Sequence, residues 1–114
     1  MKLMIVDDHK EVRIFLRSLL KNKCEEIIEC SNGNEAIEAF EKFKPDFVLM
    51  DIEMPGIDGL RSTEKIISKH LDAKIIIVTS HTDSQYQVAA KKIGAIAFVS
   101  KDNLMEIEEI LSKY

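Results

Sequence analysis

Four short stretches of this chain are apolar almost without interruption: Leu3-Met4-Ile5-Val6, Phe47-Val48-Leu49-Met50, Ile75-Ile76-Ile77-Val78 and Ile96-Ala97-Phe98-Val99. Runs this short, rich in β-branched residues and without polar alternation, predict strands covered on both faces, the condition of a parallel sheet. Glu26-Ile27-Ile28-Glu29-Cys30 is more polar and predicts an edge strand. Between the runs the spacing turns helical. Val12, Phe15, Leu16, Leu19 and Leu20 mark one face of a helix over about residues 10–21, and Ala36, Ile37, Phe40 and Phe43 mark a second. Leu60, Ile66 and Ile67, then Val88, Ala89 and Ile93, give two weaker patterns, and Leu104, Ile107, Ile110 and Leu111 give the last.

Start signals agree with this partition. Asp8, Asn32 and Asn103 each precede a glutamate by three residues, Glu11, Glu35 and Glu106, in box-like helix starts. Gly94 stands where a helix C-terminal glycine belongs, and Met54-Pro55-Gly56 reads as a turn with fixed φ at Pro and positive φ at Gly. Strand and helix thus alternate five times through short connections. That order demands right-handed crossovers and a doubly wound, three-layer α/β fold with five parallel strands. No linker or repeat interrupts residues 1–114, and one domain is the expectation for 114 residues.

A net charge of -4 gives no general attraction for nucleic acid or an anionic membrane, and the basic residues are scattered. Met1-Lys2 is followed by only four apolar residues, too few for a signal-peptide core, and no run approaches membrane-spanning length, so a cytoplasmic location is expected. Cys24 and Cys30 lack metal-site spacing and are too few for a disulfide framework; Cys30 is expected as a small core residue at a strand end.

In an open parallel sheet, ligands bind beyond the carboxyl ends of the strands. Asp7 and Asp8 follow the first strand, Asp51 the third, Thr79 and Ser80 the fourth, and Lys101 the fifth. Three carboxylates, a hydroxyl and an ammonium therefore converge on one rim. Two carboxylates about 4 Å apart repel by roughly 4 kcal/mol at an effective dielectric of 20, so such a cluster needs a cation or a proton. Oxygen ligands with room for water suit Mg²⁺ or Mn²⁺. A carboxylate beside such an ion can attack phosphorus once the ion and a lysine neutralise the developing charge.

Taken together, Asp7-Asp8, the segment Met50-Asp51-Ile52-Glu53-Met54-Pro55-Gly56-Ile57-Asp58-Gly59, Thr79-Ser80 and Lys101 resemble the receiver domains of bacterial response regulators over the whole chain. The resemblance implies a flavodoxin-like (βα)5 fold with strand order 2-1-3-4-5. It makes Asp51 the phospho-acceptor, with Asp8, Asp51 and the backbone carbonyl of Glu53 as metal ligands and Asp7 acting through water. Lys101 would pair with the phosphoryl group and Thr79 would donate its hydroxyl to it. Thr79 and Phe98 form the implied switch pair, and Glu53 and His81, two residues beyond Asp51 and Thr79, would set how fast the phosphate is lost. Implied partners are a histidine kinase or histidine phosphotransferase as donor, docking on the first helix near Ile14 and Leu20, and a downstream protein or attached output domain. The output surface would lie on the fourth helix, fifth strand and fifth helix, near Tyr86, Lys91, Lys92 and Phe98, with room for a phosphorylation-dependent homodimer. Such a domain is a switch that catalyses only its own phosphorylation and dephosphorylation. A chain ending at Tyr114 fits a stand-alone receiver or a segment of a longer regulator.

The chain departs from the family where Asp102 follows Lys101 in place of a cis proline. A cis bond before a non-proline costs about 3 kcal/mol, which leaves two alternatives for this loop, a strained cis bond or a rearranged trans path, with the trans path slightly favoured. His9, His70 and His81 have no ligand spacing and are expected as surface or capping residues. A haloacid dehalogenase-like phosphatase would want an aspartate where Glu53 stands, and a flavodoxin-like cofactor binder would want a phosphate-cradling loop where Asp7-Asp8 would repel phosphate.

Overall fold

The computed structural model describes residues 1–114. Five strands, β1 (Lys2–Val6), β2 (Glu26–Cys30), β3 (Phe47–Met50), β4 (Ile75–Thr79) and β5 (Ala97–Ser100), form one parallel sheet in the order β2-β1-β3-β4-β5. They alternate with α1 (Lys10–Leu20), α2 (Gly33–Phe43), α3 (Gly59–Lys69), α4 (Ser84–Ile93) and α5 (Glu106–Lys113), a 3₁₀ turn over Lys101–Asn103 preceding the last helix. This is the doubly wound fold and strand order expected.

Side-chain alternation along each strand divides the interior into two cores. Met4, Val6, Val48, Met50, Ile75 and Ile77 meet Ala36, Phe40, Ile66 and Ala90 of α2, α3 and α4. Leu3, Ile5, Phe47, Leu49, Ile76, Val78 and Val99 meet Leu16 and Leu20 of α1 and Ile107 and Leu111 of α5. Each fully buried Leu, Ile or Phe contributes about 1.5–3 kcal/mol over its exposed state, which explains why the inner strands β1, β3 and β4 carry no polar face while edge strand β2 keeps Glu26 and Glu29 outward. Cys30 is buried at the end of β2.

Register sets the functional rim. Val6 pairs with Cys30 and Met50, Met50 with Ile77, and Thr79 with Ser100, so the strand ends align. Asp7 N–H donates to the Cys30 carbonyl at 3.1 Å and Asp51 N–H to the Val6 carbonyl at 3.0 Å, drawing the residues just past β1 and β3 side by side. Gly94 closes α4 at φ 106° and Gly56 turns the chain at φ 80°, as the turn chemistry predicted. The Lys101–Asp102 peptide is trans, as is every peptide bond in the chain.

Several local expectations are corrected. Asn32 does cap α2, accepting the Glu35 N–H at 2.9 Å, but Glu35 returns to Ser31 N–H. Asp8 does not cap α1: the N-cap position falls to His9, because Asp8 is one of the carboxylates turned to the strand-end rim. Asn103 lies inside the 3₁₀ turn and caps nothing. β5 runs one residue later than its apolar run suggested, and Thr79 is the last residue of β4. On the outer helices Phe15 is 49% exposed and Val88 63%, whereas Leu20 is fully buried and cannot serve as a docking contact. α4 places only Ala90 wholly in the core, so its apolar residues do not all belong to one inward stripe.

Candidate functional site

The loops after β1, β3, β4 and β5 enclose an open pocket of about 400 Å³ lined by Asp8, His9, Asp51, Glu53, Met54, Pro55, Ser80, His81 and Lys101. Its floor is Asp51, only 3% exposed. One Asp51 oxygen, Oδ1, accepts the N–H of Ile52 at 2.8 Å; the other, Oδ2, faces Lys101 Nζ at 3.2 Å. Lys101 also reaches Asp7 Oδ2 at 2.8 Å, so a single ammonium links two buried carboxylates.

Burial, then the neighbouring Asp7 charge, push the Asp51 carboxyl above its ordinary value, with Lys101 and the Ile52 N–H opposing them. Burial alone would lower Lys101, but its hydrogen bonds to Asp7 and Asp51 and their charges outweigh that and hold the ammonium above the usual range. The site is thus short of positive charge while its lysine stays charged.

Backbone packing fixes the acceptor loop. A Cβ on Gly59 would lie 1.7 Å from the Asp51 carbonyl oxygen, and Gly59 N–H donates to the Ile52 carbonyl at 2.7 Å. Only glycine lets the first turn of α3 come this close. Asp58 caps the same turn, accepting the Arg61 N–H at 2.9 Å.

Asp7, Asp8, His9 and Asp51 each turn one ligand atom to a common region, all within 4.8 Å of one another. Asp8 Oδ1 is shielded from solvent and has no hydrogen-bond partner. Three carboxylates against one ammonium, with an orphaned carboxylate oxygen among them, fit a hard divalent cation. His9, expected as a surface or capping residue, does take the N-cap position of α1 and also borders this cluster, its Nδ1 3.1 Å from Asp7 Oδ1 and 3.3 Å from Asp8 Oδ1. Its adjacency to Asp8 was the available signal.

Glu53 and His81 do meet. His81 Nε2 and Glu53 Oε2 are 2.6 Å apart, bridging the β3 and β4 loops across the pocket mouth, and the His81 ring leans on Tyr86 with centroids 5.8 Å apart. Thr79 is fully buried behind the pocket wall, its hydroxyl oxygen accepting the His81 N–H at 3.1 Å. Phe98 is partly buried and lines a separate, mostly apolar pocket of about 430 Å³ between α4 and β5. His70 stands apart, its ring 4.8 Å from that of Phe40.

The receiver-domain model of response regulators matches residues 3–113. The chain belongs to the response regulator receiver domains. It is 39% identical over 113 residues to the uncharacterized transcriptional regulatory protein YhcZ of Bacillus subtilis (strain 168), covering 97% of this chain and 52% of that protein. Chemotaxis protein CheY of Listeria monocytogenes is 35% identical over 118 residues, with 99% of both chains covered. A crystal structure of a LuxR-family DNA-binding response regulator from Staphylococcus aureus superposes with a TM-score of 0.89 at 33% identity, covering 98% of this receiver domain and 96% of that chain. The receiver domain therefore spans about half the length of some curated relatives and nearly all of others. Its family places it in two-component signalling, among switches and not among classical enzymes. No helix is long and apolar enough to cross a membrane.

Proposed function

We propose that this receiver domain accepts a phosphoryl group on Asp51, from a histidine kinase or histidine phosphotransferase, and passes the signal through its α4-β5-α5 face to a downstream protein or attached output domain. The observation that carries this reading is the buried Asp51 carboxylate held between the Ile52 N–H and Lys101 at the floor of an open acidic pocket. An Asp51 oxygen donates a lone pair to phosphorus as the bond from phosphorus to the donor breaks, and that electron pair leaves with the donor. Lys101, already charged, stays beside the transferred group and compensates its oxygens. Mg²⁺ or Mn²⁺ would be held by Asp8, Asp51 and the Glu53 carbonyl, with Asp7 acting through water. When bound, such an ion neutralises charge on the transferring phosphoryl oxygens.

Phosphorylation adds about -1.5 to -2 charge and three acceptor oxygens at pH 7. Those acceptors favour a state in which the Thr79 hydroxyl leaves the His81 N–H for the phosphoryl group and Phe98 moves into the space released. The apolar pocket beside Phe98, with exposed Val88 and Lys91 at its edge, is where the change reaches a partner or a second copy. Ile14, 54% exposed on α1, is the apolar contact offered to the donor. The domain works in the cytoplasm, as one unit over residues 1–114, alone or within a longer regulator.

Water attack on phosphorus regenerates Asp51, and the Glu53–His81 pair over the pocket mouth limits the access of that water. Intact mass after incubation with Mg²⁺ and a small acyl phosphate tests both points. One phosphoryl adduct is expected, dependent on metal and absent in Asp51→Asn; no adduct with any metal or donor contradicts the reading. Followed over time, the adduct should decay at a different rate in Glu53→Ala or His81→Ala, and unchanged decay in both removes the lifetime role.

A further inference from the structure

The turn that carries Lys101 is held by a bond that proline at position 102 could not make. β5 ends at Ser100 in extended backbone, φ -76° and ψ 142°, and the 3₁₀ turn begins at the next residue. So abrupt a change leaves the first N–H groups of the turn without partners inside it. Ser100 Oγ accepts one of them, the Asp102 N–H, at 3.1 Å, and no other side chain hydrogen-bonds to the backbone of this turn. Proline has no N–H to donate, so the cap exists because Asp102 stands where the family usually has proline. Ser100 is itself fixed from the sheet side, paired with Thr79 at the last step of the β4–β5 ladder. The backbone of Lys101 is therefore anchored before it by a strand pairing and after it by the Ser100–Asp102 bond.

We propose that Ser100 is a positioning residue, which by capping this turn aims the Lys101 ammonium at Asp51. Its importance for phosphorylation rests on the reading of Lys101 as the group that compensates the transferred phosphoryl oxygens. The Lys101 side chain is only 16% exposed, and Nζ meets Asp7 Oδ2 at 2.8 Å and Asp51 Oδ2 at 3.2 Å. A four-carbon stem gives up much rotamer freedom to reach two carboxylates at once, so that bridge is the first thing a wandering backbone weakens. Ser100 hydrogen-bonds neither Asp51 nor the ammonium, and acts through the backbone alone.

The test is competitive acetylation of the lysines with trace acetic anhydride, mapped by peptide mass, in the native full chain, Ser100→Ala and Ser100→Thr. Exposed Lys91 and Lys92 serve as internal standards. An ammonium bridged between two carboxylates acetylates slowly. Relative to the standards, Lys101 should become about fivefold more reactive in Ser100→Ala, the scale of a lost cap, and return to the native value in Ser100→Thr, which keeps a capping hydroxyl. Unchanged Lys101 reactivity in Ser100→Ala, an equal rise at Lys91 and Lys92, or no return in Ser100→Thr each overturns the proposal. The rate of adduct formation with Mg²⁺ and a small acyl phosphate, read in the same three proteins, should fall about fivefold in Ser100→Ala and recover in Ser100→Thr. A native rate beside a freed Lys101 leaves the positioning standing and overturns the phosphoryl role given to Lys101, as does the absence of any adduct in the native domain.

Discussion

At the scale of single residues, the burial of Asp51 comes at a cost in stability. Its carboxyl is nearly shut off from water beside Asp7, and burial followed by that charge raises its proton affinity above the unfolded value. A carboxyl raised on folding keeps its stabilising contribution below its unfolded value and loses it as pH climbs through the folded one, so burying this group opposes folding on the alkaline side. Asp51→Asn should therefore raise the Tm of the metal-free domain at pH 7, and the gain should shrink in Mg²⁺. Thermal unfolding with and without chelator checks this; a less stable variant in chelator contradicts it. The convergence of Asp51, Lys101, Glu53 and His81 on one rim was legible in the sequence, because each stands at a fixed step beyond an apolar run and topology brings them together. His9 is the cap position its place at a helix start suggested, and what the sequence did not show is that the fold turns Asp7 and Asp8 toward its ring.

At the scale of elements, the strands were easier to read than the helices. A strand covered on both sides must be apolar throughout, and Leu3–Val6, Phe47–Met50 and Ile75–Val78 are. A surface helix needs only part of its circumference apolar, which leaves residues such as Phe15 and Val88 free to face outward. Helix starts were misplaced where a nominal cap has another use: Asp8 belongs to the acidic cluster and Asn103 to a 3₁₀ turn. One helix end carries strain. Lys44 closes α2 at φ 49°, ψ 63°, a left-handed conformation that costs a residue with a Cβ roughly 1–2 kcal/mol. Part of that returns through the more flexible unfolded chain when glycine replaces it, so Lys44→Gly should stabilise by about 0.5 kcal/mol. Urea unfolding would register it as a higher midpoint at constant slope.

At the scale of the whole molecule, two apolar cores hold the sheet from both sides, and the carboxyl rim gathers the carboxylates and the lysine of the pocket. Cys30 reports on that enclosure. Burial pushes its thiol from an ordinary 9.0 to about 11, so the folded chain keeps a proton that the unfolded chain releases. A value raised on folding means stability present below pH 9 and lost as pH rises toward about 11. The alkaline loss should be of order 2 kcal/mol, and Cys30→Ala, whatever its packing cost at pH 7, should flatten the slope between those values. A slope unaffected by the substitution would show that the thiol is not enclosed. The same rim-and-core division explains how the polar rim could be read from sequence: a polar residue directly after an apolar run marks a strand end.

The most direct test of Asp51 as the acceptor is chemical mapping. The domain is phosphorylated with Mg²⁺ and a small acyl phosphate, reduced with borohydride, which converts an aspartyl phosphate to homoserine, and digested for peptide sequencing by mass spectrometry. Homoserine at position 51, with Asp7, Asp8 and Asp58 intact, is the predicted result. Homoserine at another aspartate, or a phosphoryl group that survives borohydride on a serine, threonine or histidine, would contradict it.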